Sequence, residues 1–438
     1  MAETAVKTRE APAQQADALT LRLDAARLPE GGFTAAARAD ALTRLRAMGL
    51  PHPRDEYWRF TSPHPFNAPL PQPIPIEEKA PDSPLFTSRD RLVLVFVDGR
   101  FDAAESSDLT LEGVEIDLLS AAEGQGDHWA RGLYGVLEAA GQYPVRRPFA
   151  ALNTVTAGEG VLIRVTGKPA RPIHILHRRR AEDADVSWHH VIRVEEGAEL
   201  TLLETGMTGA RSNGVMEVEI AQGGKLHHIS AKRAGHQKLG FSAIFARLAA
   251  EAAFKSFALS VNGTHMRHES VVEFTGDDAI AHVAAAVLGD GDRGPFHHDD
   301  TVFVTHDAER CESRQVFKKV LKNGAVGVFQ GKILVKPGAQ KTDGYQISQA
   351  LLLDDDSQFL GKPELEIYAD DVKCSHGSTT GAIDDTALFY LRSRGVPKDR
   401  AIVLMILSFL ADALEEVEDE GLREEISDRL DAWLTRHA

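Results

Sequence analysis

Hydrophobic and polar positions along the chain change their period twice. Thr34 stands ahead of a helical repeat that runs to Met48, with Leu42, Leu45 and Met48 at helical spacing, Gly49 as the stop and Pro51 beyond it. Residues 1–18, rich in Ala, Glu, Gln and Lys without an apolar period, read as a mobile leader. Between Asn67 and Ser83 prolines recur at 69, 71, 73, 75 and 81, each fixing its own φ and lacking an amide donor. That stretch predicts an extended linker, with a domain boundary near residue 85.

From there the pattern is one of short apolar runs, at 92–97, 161–165, 173–177, 189–194, 200–203, 215–220, 226–229, 271–274, 302–305, 326–329, 332–335 and 364–368. Turn signals such as Glu196-Gly197, Gln222-Gly223-Gly224, Thr275-Gly276-Asp277 and Lys336-Pro337-Gly338 separate them, which predicts strands. No helical period interrupts residues 160–235, and this argues against a sheet built from βαβ units. A sandwich, a barrel and a β-solenoid remain open. Residues 195–200 and 221–226 share a turn-then-strand pattern 26 residues apart, too little to prove a solenoid. After residue 383 the helical period returns. Asp384 or Asp385 caps a segment through Arg394, Gly395 and Pro397 break it, and 398–417 and 422–435 supply two further amphipathic stretches. The chain thus divides into an N-terminal helical region with its Pro-rich linker (1–84), a β body (85–372) and a C-terminal helical region (373–438).

Composition narrows the function. With 438 residues, 43% of them hydrophobic, the chain can bury a large core, and a net charge of −16 disfavours a nucleic-acid partner, since phosphate backbones are met with clustered Lys and Arg. The longest apolar run, 401–407, is too short to cross a bilayer and the start carries no apolar signal region, so no membrane contact and a cytoplasmic location are expected. Two cysteines, Cys311 and Cys374, allow no disulfide framework, and an all-cysteine iron–sulfur site needs four thiolates. Any cluster bound here must borrow ligands from another subunit or use other residue types. No phosphate-binding Gly-x-x-x-x-Gly-Lys-[Ser/Thr] loop and no Gly-x-Ser-x-Gly elbow occur, so neither ATP hydrolysis nor serine hydrolysis is expected of the chain itself.

The most informative stretch is 369–395. Cys374 and His376 stand one residue apart beside Gly377 and ahead of a helix, a pair of ligand types that iron or zinc could use, although two ligands alone close no metal site. The core Val372-Lys373-Cys374-Ser375-His376-Gly377 and the following Leu388-Phe389-Tyr390-Leu391-Arg392-Ser393-Arg394-Gly395 closely resemble the signature of the SufB/SufD family of iron–sulfur cluster assembly proteins. More weakly, Asp55-Glu56-Tyr57-Trp58-Arg59-Phe60-Thr61 resembles the family's N-terminal Glu-x-Trp-x-x-Thr element, and Pro363-Glu364-Leu365-Glu366-Ile367 its last strand.

The resemblance implies a mainly β fold, with a right-handed parallel β-helix core between small helical regions. It implies a non-enzymatic scaffold that pairs with a SufB-like paralogue and docks a SufC-like ABC ATPase through helices around 384–437, with Phe389, Tyr390, Ile402, Met405, Ile406 and Phe409 apolar enough to anchor it. His376, and more weakly Cys374, would then ligate a transient iron–sulfur cluster shared with the partner subunit, while a homodimer of the isolated chain stays open. SufB-type chains carry a further cysteine before a Leu-Leu-Ile run, and the corresponding 345–353 has none, which places the chain on the SufD side; the SufB paralogue is the alternative.

His297-His298-Asp299-Asp300 with His306-Asp307 is the sharpest metal-like cluster by composition. Neighbours on a strand alternate faces, so His297 and His298 should point opposite ways, and these residues read as surface or turn groups, as do the doublets His189-His190 and His227-His228. A polysaccharide-acting β-helix enzyme centred on His297 and His306 is the competing reading, but this region offers mainly Phe296 and Phe303 for sugar stacking. The acids Glu415, Glu416, Glu418, Asp419 and Glu420 read as a solvated face.

Overall fold

The computed structural model describes residues 13–29, 31–76, 85–206, 208–233, 238–261 and 263–437. Its body is a parallel β-solenoid of about seven turns, each giving one strand to each of two sheets. One sheet stacks Leu92–Val97, Ile173–Arg178, Glu199–Gly206, Lys225–Arg233, Ala253–Val261, Ile280–Asp290, Glu312–Lys322, Asp343–Leu352 and Lys373–Gly381. The other stacks Val161–Val165, Asp185–Val194, Arg211–Ile220, Leu239–Leu248, His265–Phe274, His297–His306, Val326–Val335 and Gln358–Ile367.

The register builds rows of like positions along the lumen. Ile163, Ile192, Val218, Ala246, Val272, Val304 and Ile333 form one such row, all buried in the core. In six successive turns one corner is a residue at positive φ, namely Gly197, Gly223, Glu251, Asp278, Arg310 and Lys341. Their amides donate in sequence to the carbonyls of Gln222, Ala250, Asp277, Glu309, Gln340 and Asp371 on the turn above, so the corner hydrogen-bonds along the solenoid axis. The faint 26-residue echo of 195–200 in 221–226 is this stacking, with Glu199 paired to Lys225.

Helices cover the outer face of each sheet. Ala13–Asp24, Ala35–Met48 and the inserted Leu119–Ala122, Val136–Ala140 and Pro148–Thr156 pack with Leu162, Val191, Val215, Phe241 and Phe245. Lys398–Leu414 and Glu420–His437 lay Val403, Ile406, Leu410, Ala413, Ile426 and Leu430 against Phe257, Leu259, Ala284, Leu288 and Val316 of the other sheet.

Several expectations shift. Residues 13–18, expected in a mobile leader, begin a helix, and 1–12 lie outside the described residues. Gly49 closes Ala35–Met48 as expected, at φ 70°, with its amide on Leu45 O at 2.8 Å. Thr34 does not cap that helix; its hydroxyl donates to Glu123 and accepts from Arg38 Nε at 2.9 Å. The proline-rich segment as far as Ile76 is extended, held by the Ile74 amide on Glu182 O and by Arg179, while Pro81 lies outside the described residues. Six of the parallel strands have no counterpart among the apolar runs: Leu239–Leu248, Ala253–Val261, Ile280–Asp290, Glu312–Lys322, Asp343–Leu352 and Lys373–Gly381; the short antiparallel Arg100–Phe101 and Val114–Leu118 have none either. Lys373–Gly381 carries β structure past residue 372, and the C-terminal helices begin at Asp385.

Candidate functional site

The two ends of the solenoid differ. The first turns are closed by the antiparallel strands Arg100–Phe101 and Val114–Leu118. At the other end Gln358–Ile367 and Lys373–Gly381 are edge strands, each paired on one side among the described residues. Such edges present a row of backbone donors and acceptors that another chain can meet.

Cys374 and His376 lie on this last strand, two residues apart and therefore on one face. Cys374 is in register with Gly344 and, further in, Ser313, Ala281 and Phe254; His376 is in register with Gln346, Gln315, Val283 and Ser256. These rows are buried in the inner turns, but among the described residues no turn lies above the last one, which leaves Cys374 half-buried and His376 exposed.

Cys374 completes a small apolar cluster with Ile333, Val335, Ala339, Leu365, Ala369 and Val372. Burial pushes its thiol above the ordinary value, a hydrogen bond with the Gly344 backbone opposes the shift, and Asp343 adds to it. The shift favours the protonated thiol, and of the two side chains the imidazole of His376 is the more exposed. A Cβ on Gly344 would stand 3.3 Å from Cys374 Sγ, so the glycine leaves the thiol its room. Behind His376 the floor is polar: Gln346 Nε2 donates to Gln315 Oε1 at 2.8 Å, and Ser348 Oγ donates to Ser378 Oγ at 3.1 Å.

Three residues after the last strand, Asp385–Ser393 begins, capped by Asp384, whose carboxylate accepts from the amides of Thr386 and Ala387. This helix buries none of its residues, and Phe389 and Tyr390 are 74% and 56% exposed. Between it and Lys398–Leu414 runs an open groove of about 530 Å³ lined by Ala387, Tyr390, Leu391, Leu404, Met405 and Ser408. The six expected anchors therefore separate: Ile406 is buried against the solenoid with Ile402 and Phe409 partly so, and Phe389, Tyr390 and Met405 face the groove or solvent. The acidic corner is not merely solvated, for Glu416 bonds His282 at 2.7 Å, Glu418 bonds Lys255 at 2.7 Å and Asp419 bonds Arg89 at 3.0 Å, tying the helices to the body.

The histidine–aspartate cluster is likewise not at the surface. His297 and His298 do point to opposite faces of one strand, but His298, Asp299, Asp300 and His306 are all buried, as are the doublets at 189–190 and 227–228; among these residues Asp307 is exposed. Asp299 accepts from Arg267, Thr61 and Gln330, and Arg267 also donates to Tyr57 O and lies 4.2 Å over Trp58. His297, stacked on His265 at 4.6 Å, bonds Thr61 at 3.0 Å. The 55–61 element is thereby latched to the outer face of the sheet. On the inner face Lys319 bridges Asp300 and His298. Phe296 and Phe303 are buried too, which removes the stacking surface a sugar would need.

Comparison with known proteins gives the family. The family model described as SUF system FeS cluster assembly, SufBD core domain, matches residues 177–409. The chain is 29% identical over 412 residues to the iron–sulfur cluster assembly protein SufD of Escherichia coli (strain K12), covering 89% of this chain and 90% of the relative. It is 30% identical over 158 residues to SufD of Bacillus subtilis (strain 168), and 28% identical over 240 residues to the chloroplastic protein ABCI7 of Arabidopsis thaliana, covering 36% and 53% of this chain and 36% and 50% of those relatives. Among the described residues no helix is long and apolar enough to cross a membrane. A β-solenoid whose open turn carries the Cys374–His376 motif, matched over more than half its length by the SufBD core, makes the chain a member of the SufB/SufD family of iron–sulfur cluster assembly proteins.

Proposed function

We propose that the chain is a SufD-type scaffold subunit of a cytoplasmic iron–sulfur cluster assembly complex, without catalytic chemistry of its own. The observation that carries this reading is the open last turn, where His376 stands exposed on a strand whose edge has no strand beyond it among the described residues. A cysteine-bearing SufB-like paralogue is the partner that fits this edge. In its absence a second copy of the chain can meet the same edge. The nascent cluster is cargo at that interface, held by His376 with the partner's thiolates; Cys374, half-buried and protonated, is the lesser ligand. Imidazole in place of a thiolate suits iron and leaves the cluster easier to hand on than four thiolates would.

The ATP-dependent step must come from another protein, and the Asp385–Ser393 helix with its groove is the surface that supports docking of a SufC-like ATPase. The test is His376→Ala in the co-expressed complex. Its folding and its recovery with both partners are expected to be unchanged, while bound iron and the visible absorption of the cluster fall; a full complement of cluster in that variant removes His376 from the mechanism.

A further inference from the structure

A second set of ligand-type side chains lies deep in the lumen, near the closed end. His177, His190 and Glu204 come from three strands, Ile173–Arg178, Asp185–Val194 and Glu199–Gly206, and are all buried. One ligand atom from each falls within 4.8 Å of the others. His177 Nε2 is 3.0 Å from Glu204 Oε1. The second carboxylate oxygen, Oε2, is 3.6 Å from Nε2 of His228, a side chain 3% exposed whose Nε2 makes no hydrogen bond among the described residues while its Nδ1 engages Ser256 Oγ at 3.0 Å. Turning Nδ1–H to the serine leaves the Nε2 lone pair aimed at Glu204, which is the tautomer a metal needs.

Glu204 and His228 also line a lumen cavity of about 50 Å³, room for a water beside an ion. The shell around the ligands is stiff. His177 packs on Trp188 at 4.8 Å and His190 against Phe96 at 6.2 Å.

We propose that this turn of the lumen is a divalent first-row metal site, separate from the open-end motif, with Glu204 bridging His177 on one carboxylate oxygen and His228 on the other. Two imidazoles and one carboxylate with a position left for water are the donor set of iron(II), zinc or manganese. His190 is the conditional fourth ligand. The Val161 amide donates to its Nδ1 at 3.0 Å, so the neutral ring carries its proton on Nε2 and joins the ion's shell only when it turns.

The test uses the full chain carrying Cys374→Ser and His376→Ala, so that the outcome does not depend on the open-end site. After chelation and titration with cobalt(II), this protein is expected to take up one equivalent, with d–d absorption of nitrogen and oxygen ligation, and to keep it through gel filtration. Adding Glu204→Gln, or separately His228→Gln, should weaken cobalt at least about 10-fold to 100-fold, with far-ultraviolet circular dichroism unchanged. Absence of tightly bound cobalt in the starting protein overturns the proposal, as does undiminished cobalt in both folded variants.

Discussion

Lys319 is enclosed by the lumen, its ammonium on Asp300 and 3.3 Å from His298 Nδ1. Burial by itself would raise the Asp300 carboxyl, but Lys319, with His298, holds it well below the ordinary 3.8. That stabilisation is present above the ordinary value and is lost as pH falls through the depressed one. Lys319→Met strands the carboxylate in the interior, and a loss of about 3–5 kcal/mol is expected in denaturant unfolding. Adding Asp300→Leu should restore most of it, because no buried charge then lacks a partner; an undisturbed single variant would show that Lys319 contributes nothing net. At this scale the sequence is legible in chemistry but not in place. Residues 297–300 read as ligand-type side chains from their identities alone, whereas their burial follows from lying between a latched N-terminal segment and the lumen. The ligand set at 177, 190, 204 and 228 carries no local signature, because the solenoid brings its members together from four separate strands.

Elements differ in how openly they declare themselves. The C-terminal helices are legible because Asp384, Gly395 and Pro397 punctuate them and their apolar stripes face one way. Asp385–Ser393 is the exception in packing, since it contributes nothing to the core. Phe389→Ala with Tyr390→Ala is therefore expected to change unfolding free energy by no more than about 0.5 kcal/mol. The same double variant should abolish co-purification of the ATPase; retained binding would move the docking surface elsewhere. The unread strands hide for a physical reason. Helices cover the outer faces of all but Lys373–Gly381, and the inner rows carry His, Ser, Gln and Lys as well as Val and Phe, so a clean alternation does not survive. Ile280–Asp290 buries nearly every residue, and Glu312–Lys322 turns Gln315 and Lys319 inward.

For the whole molecule, the polar interior sets the response to acid. Burial pushes His174, His297 and His306 down to about 3 and His227 to about 4, from 6.5. Each is neutral in the fold, while the unfolded chain takes up protons as pH drops below 6.5. Stability is expected to be level above that value and to fall steadily toward pH 4, read as denaturant midpoints across the range; a midpoint unmoved between about pH 7 and about pH 5 would show that these imidazoles are not held neutral. The solenoid itself was legible as one of three β architectures, and family resemblance rather than period selected it, because turns of unequal length blur the repeat. The short passage from His376's strand to the Asp385–Ser393 helix has a mechanical consequence. A protein bound to the helix would hold the tether of the open turn, so on the proposed reading occupancy of one surface would lower the ordering entropy left to be lost at the other.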